Sequence, residues 1–428
     1  MIKILYILLS AVIFCSCSQG NKPIVQQAFA DSLIAHYKPS SIVTSNEEEL
    51  IFWKKRIDSH PHGFTNESKY AGMLSKRFHN FGDIHDIVAA DSTICIINEE
   101  LKGNDMGPNI SLASYSITRH KFNEAYEYVK QLKKLGGQKY AVSLLSFDVD
   151  FELGNYYSPA TVLKSIEHNQ DYGYYFRLSK YQHLKGDLDE AIVSMKKATE
   201  LAESNSGLKL AAMSNTADLY IHKGDLNKAC KLYVDCIRLN SSDFHSIIGI
   251  GWIALVKDNK DSLAERIYQF VSKHSKAPDA WFKLYQVAQS RSDSINEVIY
   301  ANQFVQQVSD TLYGGMYNKY LIELYTGILH NPAKAITLAK EELNNRATPQ
   351  TQAWYVWTMF CNNQPQEAYN YYHHAVSGKP LEGLELYYMG KMMQGLNKGY
   401  NAQEFFKAAY KNRYDLSPAM RKELEKNK

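Results

Sequence analysis

Apolar residues return along this chain at helical spacing, and two stretches carry the same register without a gap. KGDLDEAIVSMKKATEL begins at Lys185 and KGDLNKACKLYVDCIRL begins at Lys223. From Ala191, apolar or small residues follow at Met195, Ala198 and Leu201; from Ala229 the same offsets give Tyr233, Cys236 and Leu239. Those offsets turn a helix through about 400°, 700° and 1000°, so each set shares one face. A preceding helix, carrying Leu178 in one copy and Thr216 in the other, ends at the Gly-Asp turns of Gly186 and Gly224. The unit is therefore a pair of helices joined by a tight turn.

The pattern comes back elsewhere. Ala368 is followed by Tyr372 and Ala375 and preceded by Tyr355 and Met359; Ala402 is followed by Phe406 and Ala409 and preceded by Met389, Gly390 and Met393. Ala125 leads Val129, Leu132 and Leu135, and Ala264 leads Tyr268 and Val271. The intervals 191→229, 229→264 and 368→402 are 38, 35 and 34 residues. Weaker copies fall around Pro159, Ala301 and Ala335, and within residues 74–87.

A period near 34, with two helices per unit and small residues where they cross, resembles the tetratricopeptide repeat. Two short antiparallel helices approach closely only where a side chain is small, and their large residues fill the groove beside that contact. One unit cannot bury both its faces, so neighbours stack. The resemblance implies an all-α fold: an α-solenoid, a right-handed superhelix of stacked antiparallel helix pairs, over residues 46–416. Its sharpest repeats are 172–205, 210–243, 349–382 and 383–416. The 45–87 region is similar to the opening of large bacterial proteins of this type. The segment from Glu342, in which Arg346 precedes a Thr-Pro turn and the helix bearing Trp354, is similar to a common C-terminal segment. The expected shape is one elongated stack of roughly ten helix pairs. Residues 417–428 read as a capping helix and tail, opened by Ser417-Pro418.

The N-terminus adds an address. Lys3 precedes an apolar stretch from Ile4 to Phe14 broken only by Ser10. Eleven helical residues span about 16 Å, half a hydrocarbon core, which fits the apolar region of a secretory signal and not a membrane span. The FCSC that follows resembles a bacterial lipoprotein signal, with Cys17 after Ser16 as the residue that receives lipid. On this reading residues 1–16 are a signal peptide and 17–45 a lipidated N-terminus and tether. Ser18 lacks the aspartate that retains some lipoproteins at the inner membrane, so the expected place is the outer membrane, facing the periplasm. Asp31-Ser32-Leu33, Asp261-Ser262-Leu263, Asp293-Ser294-Ile295 and Asp310-Thr311-Leu312 resemble a periplasmic O-glycosylation tripeptide.

Composition narrows the chemistry. A formal charge of +3, from 48 basic and 45 acidic residues, gives no electrostatic case for nucleic acid. Six cysteines among 428 residues do not make a disulfide scaffold. Cys230 and Cys236 share one helix, about 9 Å apart along its axis and so beyond disulfide reach. No HExxH, GxSxG or phosphate-loop motif occurs. Ser194-x-x-Lys197 lies mid-helix, where Ser194 is expected to face away from the alanine stripe. His60/His62 and His373-His374 lack a third ligand. Neither an enzyme, a cofactor nor a metal site is expected.

What remains is a binding surface. In the repeat that the chain resembles, the first helix of each unit lines the concave face. Phe176, Lys180, Ser214, Asp218, Phe282, Gln286, Tyr317, Tyr320, Ala353, Trp357, Tyr387 and Lys391 stand at those places. Phe176, Ser214 and Asp218 do not match the Lys/Asn/Arg set with which relatives grip a terminal carboxylate. The candidate groove is thus aromatic with occasional lysines: Phe176, Lys180, Asp218, Phe282, Tyr317, Tyr320, Trp357, Tyr387 and Lys391. Rings at such positions equally serve to pack one unit on the next. The expected function is a lipid-anchored scaffold of the bacterial envelope, binding another envelope protein or peptide segment. The alternative is a glycan-capture lipoprotein beside an outer-membrane transporter.

Overall fold

In the computed structural model, residues 22–60, 63–396 and 401–426 are described, and every regular element among them is helical. Cys15, Cys17 and His62 lie outside the described residues. Two helices come first, α1 (Gln27–Ala35) and α2 (Ser41–Ser59). Ten pairs follow. The first five are α3 (Phe64–Phe81) with α4 (Ile84–Glu100), α5 (Met106–Thr118) with α6 (Phe122–Leu135), α7 (Lys139–Glu152) with α8 (Tyr157–Ile166), α9 (Tyr172–Leu184) with α10 (Leu188–Leu201), and α11 (Ser206–Lys223) with α12 (Leu226–Leu239). Next come α13 (Phe244–Val256) with α14 (Asp261–His274), α15 (Asp279–Arg291) with α16 (Ser294–Val308), and α17 (Asn318–Thr326) with α18 (Pro332–Asn345). The last are α19 (Pro349–Cys361) with α20 (Pro365–Ala375), and α21 (Gly383–Gly395) with α22 (Ala402–Lys411); α23 (Pro418–Lys426) closes the chain. First helices touch across six of the nine junctions between pairs, α5 to α7 to α9, α11 to α13 to α15 and α17 to α19 to α21, which puts them on the inside of the curve.

The alanine register builds this stack. Ala125, Ala191, Ala229, Ala264, Ala301, Ala335 and Ala368 are all fully buried, one in each of seven second helices. Glycines make the tightest approaches. A Cβ on Gly251 would stand 2.6 Å from the Tyr268 ring, and one on Gly390 2.5 Å from Phe406. The rings of α14 and α22 therefore lie directly on the backbones of α13 and α21. Phe147 and Phe304, also fully buried, contribute about 1.5–3 kcal/mol each by leaving water.

The shape departs from an elongated stack. Residues 194 to 225 apart in sequence, about six repeats of 34, meet along a seam between successive superhelical turns. Lys276 N–H donates to the Phe81 carbonyl at 2.6 Å. Asn345 donates to the His120 carbonyl at 2.7 Å and accepts from Phe122 N–H at 3.3 Å. Arg346 reaches Glu152 at 3.0 Å. Farther on, Trp252 Nε1–H donates to the Tyr414 carbonyl at 2.7 Å, and His222 meets Asp415 at 2.9 Å. The turns of the superhelix touch because backbone groups left open at helix ends find partners on the next turn.

Residues 24–37, read above as tether, pack as part of the fold. Ile24 and Val25 donate their backbone N–H groups to the Asp258 carboxylate at 2.9 and 2.8 Å. Val25 and Ala30 are buried, and Tyr37 packs edge-on against Phe270 while bonding Ser242 at 3.0 Å. Ser194 also differs from its expected place. It is buried and donates to Gln182 Oε1 at 2.7 Å, joining α10 to α9.

Candidate functional site: the inner face

The inner helices run from α9 to α21 around a narrow interior. Most of the groove residues taken from the sequence are already engaged there. Phe176 stacks on Tyr172 with ring centres 5.5 Å apart. Lys180 pairs with Glu152 at 3.6 Å and lies over the Phe151 ring. Phe282 is buried against Tyr285, Phe304 and Tyr320. Tyr317 donates to Asp279 at 3.1 Å. Trp357 donates to Thr326 at 3.1 Å and stacks flat on Tyr388 at 4.8 Å. Tyr387 bonds Glu423 of α23 at 2.5 Å, and Lys391 pairs with the same carboxylate. For these seven the packing role is the one observed.

Asp218 has more than a packing role. Its carboxylate accepts from Tyr233 OH at 2.5 Å and meets His245 Nε2 at 3.0 and 3.1 Å. Burial opposes the Asp218 charge, but His245 and Tyr233 outweigh it and hold the group below its ordinary range. In return the carboxylate raises His245 to about 9, so the imidazole is a cation at neutral pH. That imidazole is 58% exposed, a positive group presented to the interior.

The residues that sequence reasoning missed lie on the inner helices beside those chosen. Lys283 sits over the Trp252 ring at 3.8 Å and donates to Gln286 at 3.1 Å. Burial lowers its ammonium to about 8. Glu323 is buried with Oε1 lacking a partner, and burial pushes its carboxyl up to about 7. Glu385 is fully buried; Trp354 Nε1–H donates to one oxygen at 2.6 Å and the other oxygen has no partner. Tyr388 OH is likewise buried and unpartnered. Burial disfavours the Lys319 charge, yet Glu385 and Glu382 outweigh it and hold the ammonium above its usual range. No carboxylate lies within 4 Å of Lys283 or Lys319 among the described residues. One residue of helix turns the side chain by 100°, which is how Lys283 came to be passed over for Phe282.

Burial lifts the Cys361 thiol to about 12, which keeps it protonated. Among the described residues no cluster of three or more His, Cys, Asp or Glu is placed to hold a metal ion. No described helix is long and apolar enough to cross a membrane. The hydroxyls of Ser32, Ser262, Ser294 and Thr311 are all on exposed residues.

Residues 172–205 and 211–243 match the family model for the tetratricopeptide repeat. These two segments are tetratricopeptide repeats. They are α9–α10 and α11–α12, at the middle of a solenoid whose other pairs have the same architecture. No curated protein matches the sequence. Among solved structures, the APC/C hetero-tetramer Cut9-Hcn1 is similar at 13% identity, covering 90% of this chain and 69% of that one with a TM-score of 0.49. The human IFIT1 dimer with m7Gppp-AAAA is similar at 12% identity, covering 78% and 76% with a TM-score of 0.47. A tetratricopeptide repeat protein from Parabacteroides merdae is similar at 15% identity, covering 64% and 99% with a TM-score of 0.35.

Proposed function

We propose that this chain is a lipid-anchored scaffold of the bacterial envelope that binds another protein through its inner face. The anchor reading rests on Cys17 and the apolar stretch before it. The binding reading rests on one observation above all. Lys283 and Lys319 have no carboxylate within 4 Å among the described residues and lie over the rings of Trp252 and Trp354, and Glu323 has an oxygen without a partner. A polypeptide segment bearing both signs of charge would pair with these groups. Rings beside such groups supply apolar contact for an extended or helical segment.

The connections favour a protein partner over a glycan. A capture lipoprotein of the kind considered above carries long irregular insertions. The longest connection between described helices is residues 309–317, and it contains a 3₁₀ turn of its own. A short-looped stack offers the continuous helical surface that protein recognition uses.

Two experiments separate the parts. A palmitate analogue should label the chain in cells and fail to label Cys17→Ala; labelling that persists contradicts the anchor. Crosslinked pull-down from envelope membranes should recover one protein with the wild type and lose it with Glu323→Lys. Recovery of glycans alone would favour the capture reading.

A further inference from the structure

The described chain begins at one particular edge of the solenoid. α13 and α15 both end there, and α14 and α16 both start there, so the turns at 257–260 and 292–293 are neighbours. Asp258 holds the backbone of Ile24 and Val25 at this edge, so the chain toward Cys17 leaves from it. Ile24 is seven residues past Cys17, a reach of at most about 25 Å. A lipid on Cys17 would hold this edge nearest the membrane.

The surface chemistry of the same edge is unusual for this molecule. Ile295, Val298 and Ile299 are 72%, 40% and 47% exposed on the first two turns of α16. They share one face, and the positions that continue it, Asn302 and Gln306, are polar. The apolar stripe is thus confined to the end of α16 that emerges beside the chain exit. The same edge carries Lys257 and Lys260 in the 257–260 turn, Lys22 just before the strap and Lys422 on α23, none with a carboxylate within 4 Å among the described residues. Lys422 reaches the rim from α23 and donates to the Ser290 carbonyl at 3.2 Å. Of the nearby carboxylates, Glu265 and Asp261 face Arg291 at 2.6 and 3.9 Å, while Asp258 and Asp293 are held by the backbone of the N-terminal strap and by Asn296 and keep their charge. Glu297 lies on the opposite side of α16 from the stripe.

We propose that this rim is a membrane-docking surface, seating Ile295, Val298 and Ile299 among acyl chains and the four lysines on anionic headgroups. The occupant is a lipid bilayer surface, chosen by the exit of the chain and by the exposed apolar stripe with lysines beside it. Exposed apolar side chains flanked by lysines are what interfacial binding requires, and each cation near an anionic surface strengthens binding about fivefold. The inference rests on the proposed acylation of Cys17. Docked in this way, the solenoid stands with a fixed edge on the bilayer instead of swinging on its lipid.

A second exposed apolar pair provides the control. Phe52 and Ile51 on α2 are 50% and 54% exposed. Ser40, just before α2, meets Ser242 at the opposite edge of the stack, about 20 Å from the rim along α14. A photo-crosslinking amino acid is placed singly at Ile295, Ile299 or Phe52 of the full-length chain, and palmitate labelling is read from the same cells. Lipid adducts are expected at 295 and 299 and none above background at 52. Lys257→Glu with Lys260→Glu should reduce the adducts without changing palmitate labelling.

A labelled protein with no lipid adduct at 295 and 299 overturns the rim and leaves the anchor standing. Equal adducts at 52, or adducts to protein in place of lipid, also overturn it. If labelling itself is absent, the anchor falls, and the purified chain is mixed with vesicles of phosphatidylcholine and phosphatidylglycerol. Salt-sensitive lipid adducts at 295 would then still support the rim; their absence would overturn it.

Discussion

At the scale of single residues, one backbone conformation organises every resolved turn within a pair. Gly82, Gly154, Gly186 and Gly224 have positive φ there, and so do His120, Asn259, Ser292, His330 and Asn363. Glycine is at home in that region, whereas other residues hold it at a cost of about 1–2 kcal/mol. This is why repeats at Gly186-Asp and Gly224-Asp stand out in the sequence while those at Ser292-Asp and His330-Asn do not. The turn is the same and its letter is different. Ser292→Gly should accordingly stabilise the protein by about 0.5–1 kcal/mol, the relief of strain exceeding the added chain entropy. Urea unfolding checks it, with a rise in midpoint as the expected result. A second residue-scale expectation concerns His245. Its folded pKa of about 9 lies above the ordinary value, so its contribution to stability is complete below about pH 6.5 and is lost as pH rises through 9. Histidine NMR should show this titration midpoint, and Asp218→Asn should bring it back toward the ordinary range.

At the scale of elements, the second helices were the legible part. Their buried alanines recur at a near-constant interval, and even the weak copies at Ala301 and Ala335 sit fully buried in α16 and α18. The first helices were harder to read, because both their sides are covered and their apolar residues show less of a stripe. α13 buries eleven of its thirteen residues, so its inward positions cannot be told from pattern alone. The packing of α1, a helix the tether reading allowed for, was illegible for a different reason: the face it covers belongs to α14, more than 200 residues away. The seam depends on such distant pairs. Arg346, just past the end of α18, joins Glu342 of that helix at 2.7 Å to Glu152 of α7 at 3.0 Å, and Glu342 is almost wholly buried. Arg346→Ala leaves that carboxylate without its cation and should cost about 3–5 kcal/mol. Arg346→Lys should recover only part of the loss, since an ammonium lacks the fork that spans two carboxylates. Equilibrium denaturation of the three proteins tests both statements.

At the scale of the whole molecule, the solenoid winds tightly enough to rest on itself, and that changes what its inner face can be. The open groove expected from twelve inner positions is largely filled by its own rings. What is left over is a short stretch on α15 and α17 where Lys283, Lys319 and Glu323 lack full partners. The rigid winding holds these groups in place before any ligand arrives, so binding need not order them. Partner identity was never legible in the sequence, since charge of +3 over 428 residues averages away the few side chains that matter. The decisive experiment is photo-crosslinking in intact envelopes, with the crosslinker at Gln286 on the inner face or at Val193 on the exposed side of α10. A discrete protein adduct from 286, absent from 193 and abolished by Glu323→Lys, is the outcome expected of an inner-face scaffold. Protein adducts from 193 alone, or from neither position, would contradict it.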